Sequence, residues 1–180
     1  MPSTPDRAGF DAFAAAHGTA LLRFAFLLTG NYHLAEDMLQ EALMRVHRRW
    51  TKLERPEAIS KYVRKAILRQ YLSWRRLRSS AEMPSAVAPD TPLPGSDHAE
   101  RYAERDALRN ALTALPRQQR AVLVLRFYED LDDTSIGELI GCSPITVRAH
   151  ASRGLARLRG QLPSQESTST AETSSRGRAR

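Results

Sequence analysis

Arg148, Ala149, Ser152 and Arg153 recur at helical spacing late in the chain. An arginine fork beside small side chains is the chemistry that grips guanine O6 and N7 in a major groove and lets a helix approach closely. The surrounding segment from Leu131 to Arg159, LDDTSIGELIGCSPITVRAHASRGLARLR, supplies two short helices to carry them. Asp132 can accept hydrogen bonds from the first free amides of a helix whose apolar face is Ile136, Leu139 and Ile140, and Gly141 ends it. Ser143 is a second cap, and Pro144 at the first helical position has no need of an N–H there. On that second helix Val147, Ala151, Leu155 and Leu158 face inward, leaving the arginines outward. Gly137 weakens the first helix by about 1 kcal/mol relative to alanine, so close contact with the second helix is the expected compensation. The pattern is a helix-turn-helix and points to DNA, although an ordinary helix pair with a solvated basic face has the same periodicity.

A second constellation lies upstream. Lys61, Arg64, Lys65, Arg69, Arg75, Arg76 and Arg78 are basic, and no acid occurs between Ser60 and Ala81. Such a run repels itself unless phosphates neutralise it. Tyr62, Tyr71 and Trp74 are interleaved with it, flat side chains on which an unpaired base can stack for about 1–3 kcal/mol each. Single-stranded or melting DNA suits this combination, and for Tyr71 and Trp74 filling a helical core is an equal alternative. Glu36, Asp37 and Glu41 form an acidic group on a helix surface with no pocket residues around it, which favours an interaction surface over acid–base catalysis. The histidines at 17, 33, 47, 98 and 150 never take metal-ligand spacing with an acid, and no Gly-rich phosphate loop follows a strand. No cofactor and no metal are expected, and the chain does not read as an enzyme.

The elements that position these groups are all helical. Phe10, Phe13, His17, Ala20, Leu21, Phe24, Leu27 and Leu28 predict a first helix from about Arg7 to Thr29, stopped by Gly30. Asn31 caps a second, with Leu34, Met38, Leu39, Ala42, Val46 and Trp50 on its apolar side, and a third is expected from about Glu57 to Leu77. The stretch SSAEMPSAVAPDTPLPGSD excludes a regular element and reads as a linker. Helices from about Ala99 to Ala114 and Arg117 to Tyr128 then lead into the helix-turn-helix, and no strand pattern appears. The expected fold is all-α: a three-helix domain over 7–78, a flexible linker over 79–98, a second helical domain over 99–162 and a disordered tail over 163–180.

Composition agrees. Among 180 residues, 27 Lys+Arg against 20 Asp+Glu give a net charge of +7, which favours a polyanionic partner. No apolar run is read as approaching the roughly 20 residues of a spanning helix, so membrane insertion is not expected. The start MPSTPDRAGFDAF lacks a charged segment followed by an apolar block, which points to the cytoplasm. Cys142 is the one cysteine, leaving no intramolecular disulfide, and reads as a small buried residue in the turn.

Taken in order, AEDMLQEALMRVHRRW, YVRKAILRQYLSWRRLR, a Pro-rich linker and LPRQQRAVLVLRFYEDLDDTSIGELIGCSPITVRAHASRGLARLR resemble a bacterial RNA polymerase sigma factor of the extracytoplasmic-function class, in its actinobacterial SigE-type branch. The resemblance covers about Phe10 to Leu162. It implies a transcription initiation factor with sigma regions 2 and 4 alone, whose partners are promoter DNA and core RNA polymerase, through the clamp helices of the largest subunit and the flap of the second-largest. In members so regulated an anti-sigma factor is a further partner. By the same resemblance Asp37, Gln40 and Glu41 bind the core polymerase. Tyr62, Lys65, Arg69 and Trp74 engage the minus-10 element, and Thr146, Arg148, Ala149, Ser152 and Arg153 read the minus-35 element. Many members have Trp at the place of Tyr62 and Asn at the place of Arg69, a departure that bears on base capture at minus 10. The competing expectations are a stand-alone helix-turn-helix regulator on operator DNA and a helical RNA-binding protein. The second conflicts with an arginine-bearing recognition helix, because the A-form major groove is too narrow to read.

Overall fold

A computed structural model describes residues 7–48, 50, 56–73 and 96–162. Seven helices and no strand occur among them: α1 (Arg7–Thr29), α2 (Tyr32–His47), α3 (Pro56–Ser73), α4 (Ser96–Thr113), α5 (Arg117–Phe127), α6 (Asp133–Ile140) and α7 (Pro144–Gln161). The expected end of the third helix at Leu77, the linker up to Gly95 and the tail after Leu162 lie outside the described residues. α4 begins at Ser96, ahead of the expected Ala99. The reason is local, since Ser and Asp are favoured where a helix starts and the Pro-rich composition ends at Gly95.

The first three helices form one bundle. Phe13, Leu21, Phe24, Ala25 and Leu28 of α1 meet Ala35, Met38, Leu39, Ala42 and Val46 of α2 and Ile59, Val63, Ile67 and Leu68 of α3, all buried. Phe10 and Phe13 close one end against Trp50, with ring centroids 5.4 and 5.7 Å apart. Gly30 at φ 67 turns the chain out of α1, and Asn31 Oδ1 then accepts the Leu34 amide at 3.0 Å to start α2. The expectation of no apolar run of spanning length is corrected here. Ala8–Thr29 is 22 residues and apolar enough to cross a membrane by length and composition. In the fold this segment buries one face, Phe13, Leu21, Phe24, Ala25 and Leu28, and packs against α2, α3, α4 and α5.

Among the described residues, buried side chains of both halves fall in one cluster. α5 lies at its centre, touching α1 and α3 on one side and α6 and α7 on the other, and every residue from Gln119 to Leu125 is buried. A buried polar face needs partners. Arg120, 6% exposed, donates through Nη1 to Leu28 O at the end of α1 (2.8 Å) and through Nη2 to Thr113 O and Leu115 O at the end of α4. One guanidinium thus satisfies carbonyls that two helix C-termini leave free, where the helix dipole also favours a cation. Burial pushes this arginine below its usual pKa, and the nearby Tyr71 acts in the opposite sense. The ends of α1 and α4 come so close that a Cβ at Gly30 would overlap Thr113 Cγ2. Two further contacts join the halves: Arg64 Nε to Glu129 Oε1 at 2.7 Å, and Arg117 over the Tyr71 ring at 4.5 Å.

Candidate nucleic-acid interface

The recognition element is built from its caps. Asp132 Oδ1 accepts the Ser135 amide at 2.8 Å, and that bond holds its carboxyl below the usual carboxylate range. α6 ends at Gly141, φ 78, whose N–H returns to Gly137 O at 2.8 Å. Ser143 Oγ accepts the Thr146 amide at 3.2 Å and sits 2.9 Å from the Thr146 hydroxyl. Thr146, expected to meet DNA, is half-buried and its hydroxyl also touches the cap of α7. A Cβ at Gly137 would stand 2.5 Å from Cys142 O in the turn and 3.7 Å from Pro144 N, the first residue of α7, so the tightest neighbour is the turn backbone and the start of the second helix lies just behind it. Cys142 itself is half-buried.

α7 buries Val147, Ala151, Gly154 and Leu158 against the body, and Leu155 is half-buried. A Cβ at Gly154 would already touch Leu123 Cδ1 at 3.0 Å, which measures how closely α7 lies on α5. The opposite face carries Arg148, Ser152 and Arg153, exposed, with Ala149 half-buried between them. Arg153 Nε donates to Ala149 O at 3.1 Å, and Arg148 Nε lies 3.3 Å from Asp133 Oδ2. Ile145, 74% exposed at the head of the helix, went unnoticed in the sequence. An apolar residue there suits contact with a thymine methyl, but helical periodicity alone cannot distinguish it from a core position.

α3 presents Lys61, Lys65 and Arg69 on one exposed stripe, four residues apart. Arg64 is turned away from that stripe, bound to Ser60 and Glu129. Tyr71 is buried, 2% exposed, and burial pushes its phenol up, which settles its alternatives in favour of the core. Tyr62 is half-buried, packed on the same core and within reach of the surface. Trp74 lies outside the described residues. On α2, Asp37, Gln40 and Glu41 are exposed together on one face, with Glu41 paired to Arg45. Met44, 56% exposed, extends this face one turn further, an apolar member that pattern reading assigned no role. Exposed acids and Met44 thus share a face of α2, while α3 and α7 carry exposed basic side chains.

The Sigma-70 region 2 family matches residues 13–81 and the Sigma-70 region 4 family residues 105–158. The RNA polymerase sigma-E factor of Streptomyces coelicolor is 32% identical over 157 residues, covering 87% of this chain and 88% of that protein. The ECF RNA polymerase sigma factor SigE of Mycolicibacterium smegmatis is 29% identical over 169 residues, 91% of this chain and 65% of the relative. In fold the chain is similar to the sigma factor RpoE of Bartonella quintana, solved in complex with the anti-sigma factor NepR. The TM-score is 0.66 at 21% identity, over 85% of this chain and 96% of that one. With regions 2 and 4 in order and a relative of matching length at this identity, the chain belongs to the RNA polymerase sigma factors of the extracytoplasmic-function class.

Proposed function

We propose that this sigma factor divides its work among the three surfaces described: α2 docks on core RNA polymerase, α3 engages and helps melt the minus-10 element, and α7 reads the minus-35 element. The observation that carries this reading is the placement of Asp37, Gln40 and Glu41 together on one exposed face of α2. In a chain of net charge +7, exposed acids grouped on one helix face gain their meaning from a basic protein partner. The clamp helices of the polymerase largest subunit are that partner. Region 4, with Phe127 and Tyr128 exposed at the end of α5, faces the flap of the second-largest subunit.

On DNA, Lys61, Lys65 and Arg69 contact phosphates, which gives affinity without sequence. Tyr62, at the edge of the core, is the stacking surface for a base leaving the duplex, and Trp74 supports it. Arg148, Ala149, Ser152 and Arg153 face base edges in the major groove, and Thr146 acts by fixing the start of α7. The protein supplies recognition and melting and is no enzyme, because phosphoryl transfer belongs to the polymerase. It acts in the cytoplasm with that enzyme. A partner like the anti-sigma factor bound to the Bartonella relative would act by covering these surfaces.

The test is a charge reversal. Asp37→Arg with Glu41→Arg should abolish co-purification with core polymerase at preserved helicity, since exposed charge changes usually cost under about 0.5 kcal/mol of stability. Unchanged co-purification would remove the core-binding role from α2.

A further inference from the structure

Asp133 opens α6 on the side facing the recognition helix. Its Oδ2 lies 3.3 Å from Arg148 Nε, while its Oδ1 accepts Nη2 of Arg126 from α5. The carboxylate is thus held by two other helices at once, and it is three-quarters buried where Arg148 is 67% exposed. An arginine has five donors in a rigid fork. Arg148 pairs with Asp133 through charge, by its Nε edge, and the guanidinium nitrogens have no hydrogen-bond partner among the described residues, so the terminal end of the fork stays open.

We propose that Asp133 is a positioning residue that sets minus-35 specificity by holding Arg148 for end-on contact with a base edge. The inference rests on Arg148 reading that element, as proposed above. Two physical consequences follow. A guanidinium fixed before DNA arrives loses less freedom on binding, so the base it matches gains more than its competitors. The adjacent carboxylate also repels phosphates, which lowers sequence-independent attraction at Arg148 while leaving the planar fork to match guanine O6 and N7.

The experiment selects a randomised minus-35 library with holoenzyme reconstituted from core polymerase and the full chain. The chains compared are wild type, Asp133→Asn, Asp133→Ser, Arg148→Ala and the Asp133→Ser, Arg148→Ala double variant. Preference is a ratio within one protein, so a lower folded fraction cancels. Asp133→Ser, which removes the charge and draws the shortened side chain back from Arg148, should flatten the preference at the same base pair as Arg148→Ala, by about three- to tenfold. Asp133→Asn, which keeps an acceptor, should flatten it less, and the double variant should be no flatter than Arg148→Ala alone. Binding to random duplex should become more salt-dependent by up to about one unit of slope. A wild-type preference in Asp133→Ser, with Arg148→Ala flattened, would overturn the positioning role and leave the reading of Arg148 standing. An unaltered preference in Arg148→Ala would overturn that reading and the positioning role with it.

Discussion

Replacing Arg120 by methionine keeps much of its volume and removes a cation that joins the C-terminal ends of α1 and α4. Its acceptors are Leu28 O, Thr113 O and Leu115 O, in a site where Arg120 is 6% exposed. Hydrogen bonds from a charged donor contribute about 1.5–3 kcal/mol each, and buried carbonyls stripped of their partner add a desolvation cost. Methionine offsets part of this, because a buried guanidinium is itself costly to remove from water. The net expectation is a loss of about 3 kcal/mol, roughly 6–12 °C in melting temperature for a chain of this size. Arg120→Lys, with the charge kept but the fork lost, should fall between wild type and methionine. Because the same side chain ties region 2 to region 4, calorimetry should also show one transition for the wild type and a broadened or split one for the methionine variant. A melting temperature within about 1 °C of wild type would refute the reasoning, and with it the structural weight placed on this contact.

Three further outcomes follow from particular contacts. Tyr62→Ala should slow open-complex formation on duplex promoters more than on templates mismatched across the bubble, and equal loss on both would assign Tyr62 to core packing. Gly137→Ala gains about 1 kcal/mol of helix propensity but forces a Cβ to 2.5 Å from Cys142 O. A net loss of about 1–2 kcal/mol is expected in thermal melts, and a higher melting temperature would sink the steric argument. Burial, and then the Arg153 cation, hold the His150 imidazole below its ordinary value of 6.5. As pH falls the unfolded chain takes up this proton first, so His150 contributes stability above about pH 6.5 that is lost as pH falls through its folded value. His150→Gln should therefore flatten the acid side of the melting-temperature curve, and an unchanged curve would show that His150 does not set it.

The parts of this fold that sequence reading reached are those fixed by local chemistry. Asp132, Gly141, Ser143 and Pro144 act within a few residues of themselves, so the caps and turn around α6 and α7 follow from residue types and spacing. The α2 and α7 faces were equally legible, because one helical period separates their buried residues from their exposed ones. Arg120 was not, since its partner Leu28 lies 92 residues away and no periodicity encodes that contact. The same holds for α5, which begins RQQR and gives no sign of being the most enclosed helix. Asp133 carries no signal in the sequence, and only the approach of α5 and α7 reveals its two arginines. Met44 and Ile145 show the converse failure, as apolar residues whose exposure only packing can disclose.

The central claim is that this chain recognises promoters as a subunit of RNA polymerase. Fluorescence polarisation on labelled duplex promoter DNA, with and without purified core polymerase, tests it most directly. A sigma factor of this construction requires the core enzyme for tight, sequence-specific binding, and alone shows weak, salt-sensitive attraction to any duplex. Equally tight and specific binding by the chain alone, unaffected by core polymerase, would contradict the claim and make it a stand-alone helix-turn-helix regulator.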